Sequence, residues 1–385
     1  MVKLICSECG RRFSPKEKIF QCICDGVLEV AEKKVSFPVN KIRKRKNSIW
    51  RYREAIPVES DKNVVSLGEG LTPLLPLKYT DLEILAKLDF LFPTGSFKDR
   101  GSSVMISHLK DLGVKKIMDD SSGNAGASIS AYAAKAGMSC EIFCPSYASG
   151  GKLTQILYYG AKLNRVPGMR EDTEKAILKR TKEAYYASHN WNPYFIEGTK
   201  TLAFEIAEQL GWSSPDNIIC PCGNGGIYLG LFTGFRELIE KGVVSSMPRL
   251  LGVQSSVCPP IYNAYREKID FVKPFKQISR TIAEGVCLAK PVRGQLILKA
   301  MKESKGSFEV VKDDEVIRGL RFLALQGVFV EPTSAIVIPA IEKFYQNRMI
   351  GKKEKTVVVL SGSGLKTTDV LASSRFLSLE YQRAS

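Results

Sequence analysis

Lys98 lies in Pro93-Thr94-Gly95-Ser96-Phe97-Lys98-Asp99-Arg100-Gly101, where a glycine-containing turn runs into a segment with helical spacing. A helix N-terminus is electropositive, so it disfavours a protonated amine and lowers the pKa of a lysine placed there. Such an amine is a nucleophile for an aldehyde and forms a Schiff base. A second segment, Ser121-Ser122-Gly123-Asn124-Ala125-Gly126, opens an alanine-rich helix. Its hydroxyls, amide and free backbone N–H groups suit a carboxylate or a phenolate oxygen. A third, Cys222-Gly223-Asn224-Gly225-Gly226-Ile227, lets the backbone close around an anion, and a phosphate is the natural guest. No Lys-Ser/Thr pair follows it, and Tyr228 stands where a dinucleotide fingerprint needs glycine. A fourth, Ser361-Gly362-Ser363-Gly364, follows the apolar run Thr356–Leu360. A serine hydroxyl there can bond a pyridine nitrogen without forcing its protonation.

Singly, these segments read as a solvated lysine, an N-cap and tight turns. As a set they supply an aldehyde-capturing amine, an oxygen-binding amide, a phosphate cup and a partner for a ring nitrogen. Pyridoxal 5′-phosphate needs all four.

Cysteines make a separate case. Cys6, Cys9, Cys22 and Cys24 follow the spacing C-x2-C-x12-C-x-C. The first pair matches a zinc knuckle, and the second is one residue shorter than the usual pair. The two readings are a structural zinc and a metal-free core of reduced thiols. Cys140, Cys144, Cys220, Cys222, Cys258 and Cys287 sit in or beside apolar runs and read as buried free thiols.

Strands and helices must hold these segments in place. Strand patterns cover Leu82–Leu88, Lys116–Met118, Ser139–Cys144, Asn217–Cys220, Leu250–Gln254 and Thr356–Leu360. Helical patterns cover Lys98–Leu112, Ala125–Ala136, Lys152–Tyr159, Glu171–Ala187, Thr199–Leu210, Ile227–Lys241, Asp314–Gln326 and Ala335–Phe344. The alternation predicts an α/β fold with mostly parallel sheets and ligands at the carboxyl ends of strands. Asn217 to Phe235 carries no charge over 19 residues, but Pro221 and five glycines break it into strand, loop and helix rather than a membrane span. Gly226, Gly230 and Gly234 would let that helix lie close on a sheet.

The chain has 385 residues, of which 44% are apolar and 25% charged, a composition that excludes extensive disorder or a fibre. Only His108 and His189 are histidines, which disfavours His-rich metal sites. The net charge is +16, and +9 of it falls in residues 1–53. The densest run, Lys41-Ile42-Arg43-Lys44-Arg45-Lys46, reads as a solvated face or a nucleic-acid patch, and no aromatic residue interleaves it for base stacking. Met1 to Gly10 lacks the apolar core of a secretory signal, so a cytoplasmic protein without a membrane partner is expected.

From about Trp50 to Thr367 the sequence resembles the threonine synthase family of fold-type-II pyridoxal-phosphate enzymes. The resemblance rests on Gly68-Glu69-Gly70-Leu71-Thr72-Pro73-Leu74, PTGSFKDRG around Lys98, the Asn124 segment, and Glu197-Gly198-Thr199-Lys200-Thr201. Gly223–Gly226, Thr281-Ile282-Ala283, Glu331-Pro332-Thr333-Ser334-Ala335 and Ser361–Lys366 extend it. An N-terminal cysteine ribbon before Trp50-Arg51-Tyr52 resembles archaeal-type members. The resemblance implies a tryptophan synthase β-like fold with two parallel-sheet domains and a small zinc-ribbon-like unit. The expected division is a cysteine unit at 1–35 and a basic connector at 36–66. A large cofactor-binding domain follows at 67–110 and 206–385, with a smaller inserted domain at 111–205.

The family roles carry over residue by residue. Lys98 would bind the cofactor and act as acid and base, and Asn124 would contact the cofactor 3′-oxygen. Gly223, Asn224, Gly225 and Gly226 would hold its phosphate, and Ser361 would meet the pyridine nitrogen. Ser121, Ser122 and Gly123 would hold the substrate carboxylate. The implied reaction is O-phosphohomoserine and water to threonine and phosphate, in a homodimer. Two positions depart from the pattern. Phe195 follows Asn192-Pro193-Tyr194, where many members place an arginine for the substrate phosphate, and Ser363 replaces a histidine. Lys152, Lys200 and Lys366 are the candidate substitutes. Phe195 also keeps open a serine/threonine dehydratase or a β-replacement enzyme using O-phosphoserine. A nucleic-acid-binding protein reusing an enzyme fold is the third reading, with intact Lys98 and glycine segments against it.

Overall fold

The computed structural model describes residues 2–146, 148, 151–168, 170–276 and 279–373. At the N-terminus, β1 (Lys3–Cys6), β2 (Arg12–Phe13) and β3 (Leu28–Ala31) form a small antiparallel sheet in the order β2-β1-β3. The next strands, β4 (Leu74–Tyr79) and β5 (Leu82–Lys87), pair as an antiparallel hairpin. β4 contains Pro76 and lies at a sheet edge, where a missing N–H is tolerated.

The chain then builds a second sheet before completing the first. β6 (Lys116–Asp119), β7 (Ser139–Pro145), β8 (Lys162–Val166) and β9 (Tyr185–Tyr186) run parallel in the order β8-β7-β6-β9. β10 (Asn217–Pro221), β11 (Arg249–Ser255), β12 (Ser307–Val311) and β13 (Thr356–Val359) return to the first sheet. Its order is β12-β11-β10-β13-β5-β4, parallel except for the hairpin. Every residue of β10 and β13 is buried, as expected for strands covered on both faces.

Two expectations change. The long helix over Glu171–Ala187 is a shorter helix, Arg170–Leu178, followed by a turn and β9. Tyr185 and Tyr186 pair with Ile117 and Met118, so sheet pairing overrides the helical spacing of that stretch. In the Gly226–Glu240 helix, Gly230 and Gly234 serve a helix crossing rather than a sheet contact, whereas Gly226 has open space around it. A Cβ on Gly234 would lie 2.5 Å from the Lys200 carbonyl oxygen, between two short helices, Pro193–Thr199 and Thr201–Gln209.

Residues 36–66 are anchored to this body. Ile42 is fully buried inside the basic run, whose lysines are exposed. Arg45 pairs with Glu54 at 2.5 Å, and the buried Arg51 pairs with Glu208 at 2.8 Å. Lys33 reaches from the ribbon side to Glu197 at 2.5 Å and Glu237 at 2.7 Å, both buried.

Candidate active site

The four segments follow β5, β6, β10 and β13, at the carboxyl ends of parallel strands. A cavity of about 510 Å³ opens there, and its wall includes every residue expected to bind cofactor or substrate. Those are Lys98, Ser121, Ser122, Gly123, Asn124, Gly223, Asn224, Gly225, Gly226 and Ser361. Ligand pockets commonly have this size.

Lys98 is the first residue of the Lys98–Asp111 helix, and its Nζ lies 3.7 Å from the centroid of the Phe97 ring. The turn before it is fastened to the Ser361 segment. Phe97 N–H donates to Ser361 O at 2.9 Å, and Ser363 N–H donates to Gly95 O at 2.9 Å. The fully buried Asp99 carboxylate accepts from Thr94 N–H at 2.8 Å, Thr94 Oγ1 at 2.5 Å and Ser128 Oγ at 2.6 Å. Burial pushes its pKa up to about 6 despite these donors. Ser128 belongs to the Asn124–Ala136 helix, so Asp99 couples the Lys98 turn to the Asn124 segment.

Two residues after Lys98, the fully buried Arg100 is enclosed by carboxylates. It bonds Asp89 through Nε and Nη2 at 2.8 Å, and Glu205 through Nη1 at 2.7 Å and Nη2 at 2.8 Å. Lys87 adds a 2.8 Å bond to Glu205. These charges hold Glu205 down to about 2, since a carboxylate beside two cations stays ionised. The cluster fixes the helix that presents Lys98, and nothing in the residue spacing singled it out.

Two helix starts meet the cavity without a side-chain cap. Gly123 is the N-cap of the Asn124–Ala136 helix, so the ordinary serine or asparagine capping is not what this loop does. Gly225, at φ 79°, is the N-cap of the Gly226–Glu240 helix. Uncapped helix starts offer unpaired N–H groups and a positive dipole end to anions. Two such starts are the number that a cofactor phosphate and a substrate carboxylate would need. At Gly223 a Cβ would lie 2.7 Å from Gly285 O, so only glycine permits that approach. The Asn224 side chain is engaged elsewhere, accepting from Val292 N–H at 3.1 Å. That bond occupies Oδ1, so the donors Asn224 has left for the cup are Nδ2 and the backbone N–H.

Asn124 donates through Nδ2 to both oxygens of Glu331, at 2.9 and 3.0 Å, while its buried Oδ1 has no partner. Lys152 Nζ lies 3.4 Å from the same carboxylate. The Ser361 hydroxyl is 3.0 Å from Ser334 Oγ. Lys366 donates to Thr94 O at 2.6 Å, and burial pushes its pKa down to about 8. Of the three lysines considered as substitutes at position 195, Lys152 and Lys366 line the cavity. Lys200 does not. It is fully buried between Glu197 at 2.5 Å and Glu237 at 2.9 Å. Phe195 is in the wall and 1% exposed. Glu331, Asp99 and Arg293 are features of the site that spacing did not assign.

None of the ten cysteines, all of them among the described residues, forms a disulfide. Cys140, Cys144, Cys220, Cys222 and Cys258 are buried, whereas Cys287 is partly exposed and lines the cavity. In the ribbon, the sulfurs of Cys6, Cys9, Cys22 and Cys24 all lie within 4.8 Å of one another. Cys6 and Cys24 are 3.5 Å apart, and Cys9 and Cys22 are 3.6 Å apart. A tetrahedral thiolate site with zinc–sulfur bonds of about 2.3 Å has edges of about 3.8 Å, so the four thiols fit a metal of that kind. Among the described residues, no helix is long and apolar enough to cross a membrane.

Residues 65–362 match the family model described as pyridoxal-phosphate dependent enzyme. The fold resembles tomato (Solanum lycopersicum) threonine deaminase isoform 2, with a TM-score of 0.71 at 18% identity over 90% of this chain and 91% of that one. Maize serine racemase gives 0.70 at 19% identity over 88% and 100%. The chain belongs to the pyridoxal-phosphate dependent enzymes of this α/β fold. Its curated relatives narrow the family further. The threonine synthase of Methanocaldococcus jannaschii is 36% identical, covering 94% of this chain and 93% of the relative. That of Methanosarcina acetivorans is 34% identical, covering 95% and 92%. The chain is a member of the threonine synthase family.

Proposed function

We propose that the cavity converts O-phosphohomoserine and water to threonine and phosphate. The observation that carries this reading is the convergence of Lys98, two uncapped helix starts and Ser361 on one cavity. Bound pyridoxal phosphate supplies an electron sink for charge developing at the substrate α-carbon. The chain supplies the remainder. The Gly223–Gly226 cup would hold the cofactor phosphate, with Asn124 for its ring oxygen and Ser361 for its ring nitrogen. Ser121, Ser122 and Gly123 hold the substrate carboxylate. Lys98, on a helix start, binds the cofactor and then moves protons at the α, β and γ carbons as a single base. Phosphate leaves from the γ-carbon and water adds at the β-carbon.

Four thiolates of the ribbon hold a structural zinc in this reading. The reduced thiols support a cytoplasmic setting, and the resemblance to the family supports a homodimer. Lys98→Ala tests the chemistry: the variant is expected to lose the visible absorption band of bound cofactor and all turnover. Full turnover in the purified variant would contradict the role of Lys98.

A further inference from the structure

Arg293 stands immediately before the Gly294–Glu303 helix and is 3% exposed. It lines the active-site cavity. Its Nε donates to Asn190 O and its Nη2 to Trp191 O, both at 3.0 Å. Among the described residues, no carboxylate forms an ion pair with this guanidinium, and Nη1 makes no hydrogen bond. Glu29, whose charge acts on it, is an exposed residue of β3 beside a separate cavity of about 80 Å³ that Arg293 also borders.

That arrangement is unusual within this molecule. Arg100 and Arg51 are equally sequestered, and each is matched by carboxylates. Removing a charge from water without a counter-ion is costly, and a guanidinium cannot escape that cost by deprotonating near neutrality. Burial lowers the pKa of Arg293 only to about 10. The cation therefore persists at the border of both the active-site cavity and the smaller one.

Elimination assigns the anion. The cofactor phosphate has the helix start at Gly225, and the substrate carboxylate has the helix start at Gly123. Lys152 is engaged by Glu331, and Lys366 by Thr94 O. Phe195, in the same wall, supplies no charge. A phosphoester on the substrate is the remaining anion, and a planar guanidinium is suited to bind it bidentately. Asn224 keeps the segment in register, because its Oδ1 accepts from Val292 N–H just before Arg293.

We propose that Arg293 is the specificity-determining residue that binds the phosphoester of the substrate. The inference rests on the reading that the substrate is phosphorylated, and it names the residue that would select it. The test uses holoenzyme, wild type and Arg293→Met, with two readouts. The first is KM and kcat for O-phosphohomoserine. The second is calorimetric binding of inorganic phosphate, which requires no turnover.

Arg293→Met is expected to keep the cofactor absorption band, to raise KM on the order of tenfold or more, and to weaken phosphate binding by a similar factor. If that variant does not fold, Arg293→Lys decides, because it keeps the charge and loses the planar fork; KM should then rise several-fold. Unchanged KM and phosphate affinity in either folded variant would overturn the assignment. Loss of the cofactor band with normal KM after reconstitution would place Arg293 on the cofactor phosphate and also overturn it. A wild-type holoenzyme that does not turn over O-phosphohomoserine, yet binds phosphate through Arg293, would sink the functional reading and leave the residue assignment standing.

Discussion

Asn124 and Glu331 join the two parallel sheets across the active-site cavity. Asn124 starts the helix after β6, and Glu331 lies between β12 and β13. The Asn124 amide donates to both Glu331 oxygens, at 2.9 and 3.0 Å. A chain segment from each half is thus fixed at the wall of the cavity that Lys98 lines.

Asn124→Ala removes the amide from the cofactor side of that contact. A hydrogen bond involving a charged partner contributes about 1.5–3 kcal/mol, so cofactor affinity should fall on the order of tenfold or more. Titration of apoenzyme with pyridoxal phosphate measures it. Unchanged affinity would mean that the amide serves Glu331 alone.

Arg100→Met leaves Asp89 and Glu205 buried with Lys87 as their only close cation among the described residues. Breaking a buried ion pair from one side costs about 3–5 kcal/mol. The midpoint of chemical denaturation should drop accordingly, before any effect on the reaction is considered. A loss below about 1 kcal/mol would show that the cluster is not a support for the Lys98 helix.

His108 is buried and stacked on Tyr194 with ring centroids 3.4 Å apart. Burial pushes its pKa from 6.5 down to about 3. The folded state therefore holds this imidazole neutral while the unfolded state takes up a proton below pH 6.5. Stability contributed by the neutral form is present above that pH and falls as pH drops towards 3, by at most about 1.4 kcal/mol per pH unit. His108→Phe should flatten this part of the stability–pH curve. An identical slope in the variant would remove His108 as its cause.

Metal loss should act on stability rather than on chemistry. Lys33, close to the ribbon, neutralises the buried Glu197 and Glu237. Cys9→Ser is expected to lower bound zinc and the melting temperature while kcat stays near wild type. Unchanged stability with no metal in wild-type protein would favour reduced, metal-free thiols.

The strands and loops that carry the chemistry were legible because each has a local signal. PTGSFKDRG, the glycines at 223–226 and the Ala-rich run after Asn124 combine turn chemistry with a clear helix start. Tyr185-Tyr186 reads as helix in isolation because its conformation depends on partners distant in sequence, Ile117-Met118. Arg100 and Arg293 illustrate the larger gap. Arg100 lies inside PTGSFKDRG and Arg293 outside the quoted motifs, but in both cases only tertiary placement separates a neutralised charge from an unneutralised one. Their environments come from segments up to about a hundred residues away.

The most direct test of the account quantifies threonine and inorganic phosphate together as wild-type holoenzyme consumes O-phosphohomoserine. The account predicts equal amounts of both, tracking substrate loss. Phosphate release with an oxo acid and ammonia in place of threonine, or no phosphate release at all, would contradict it.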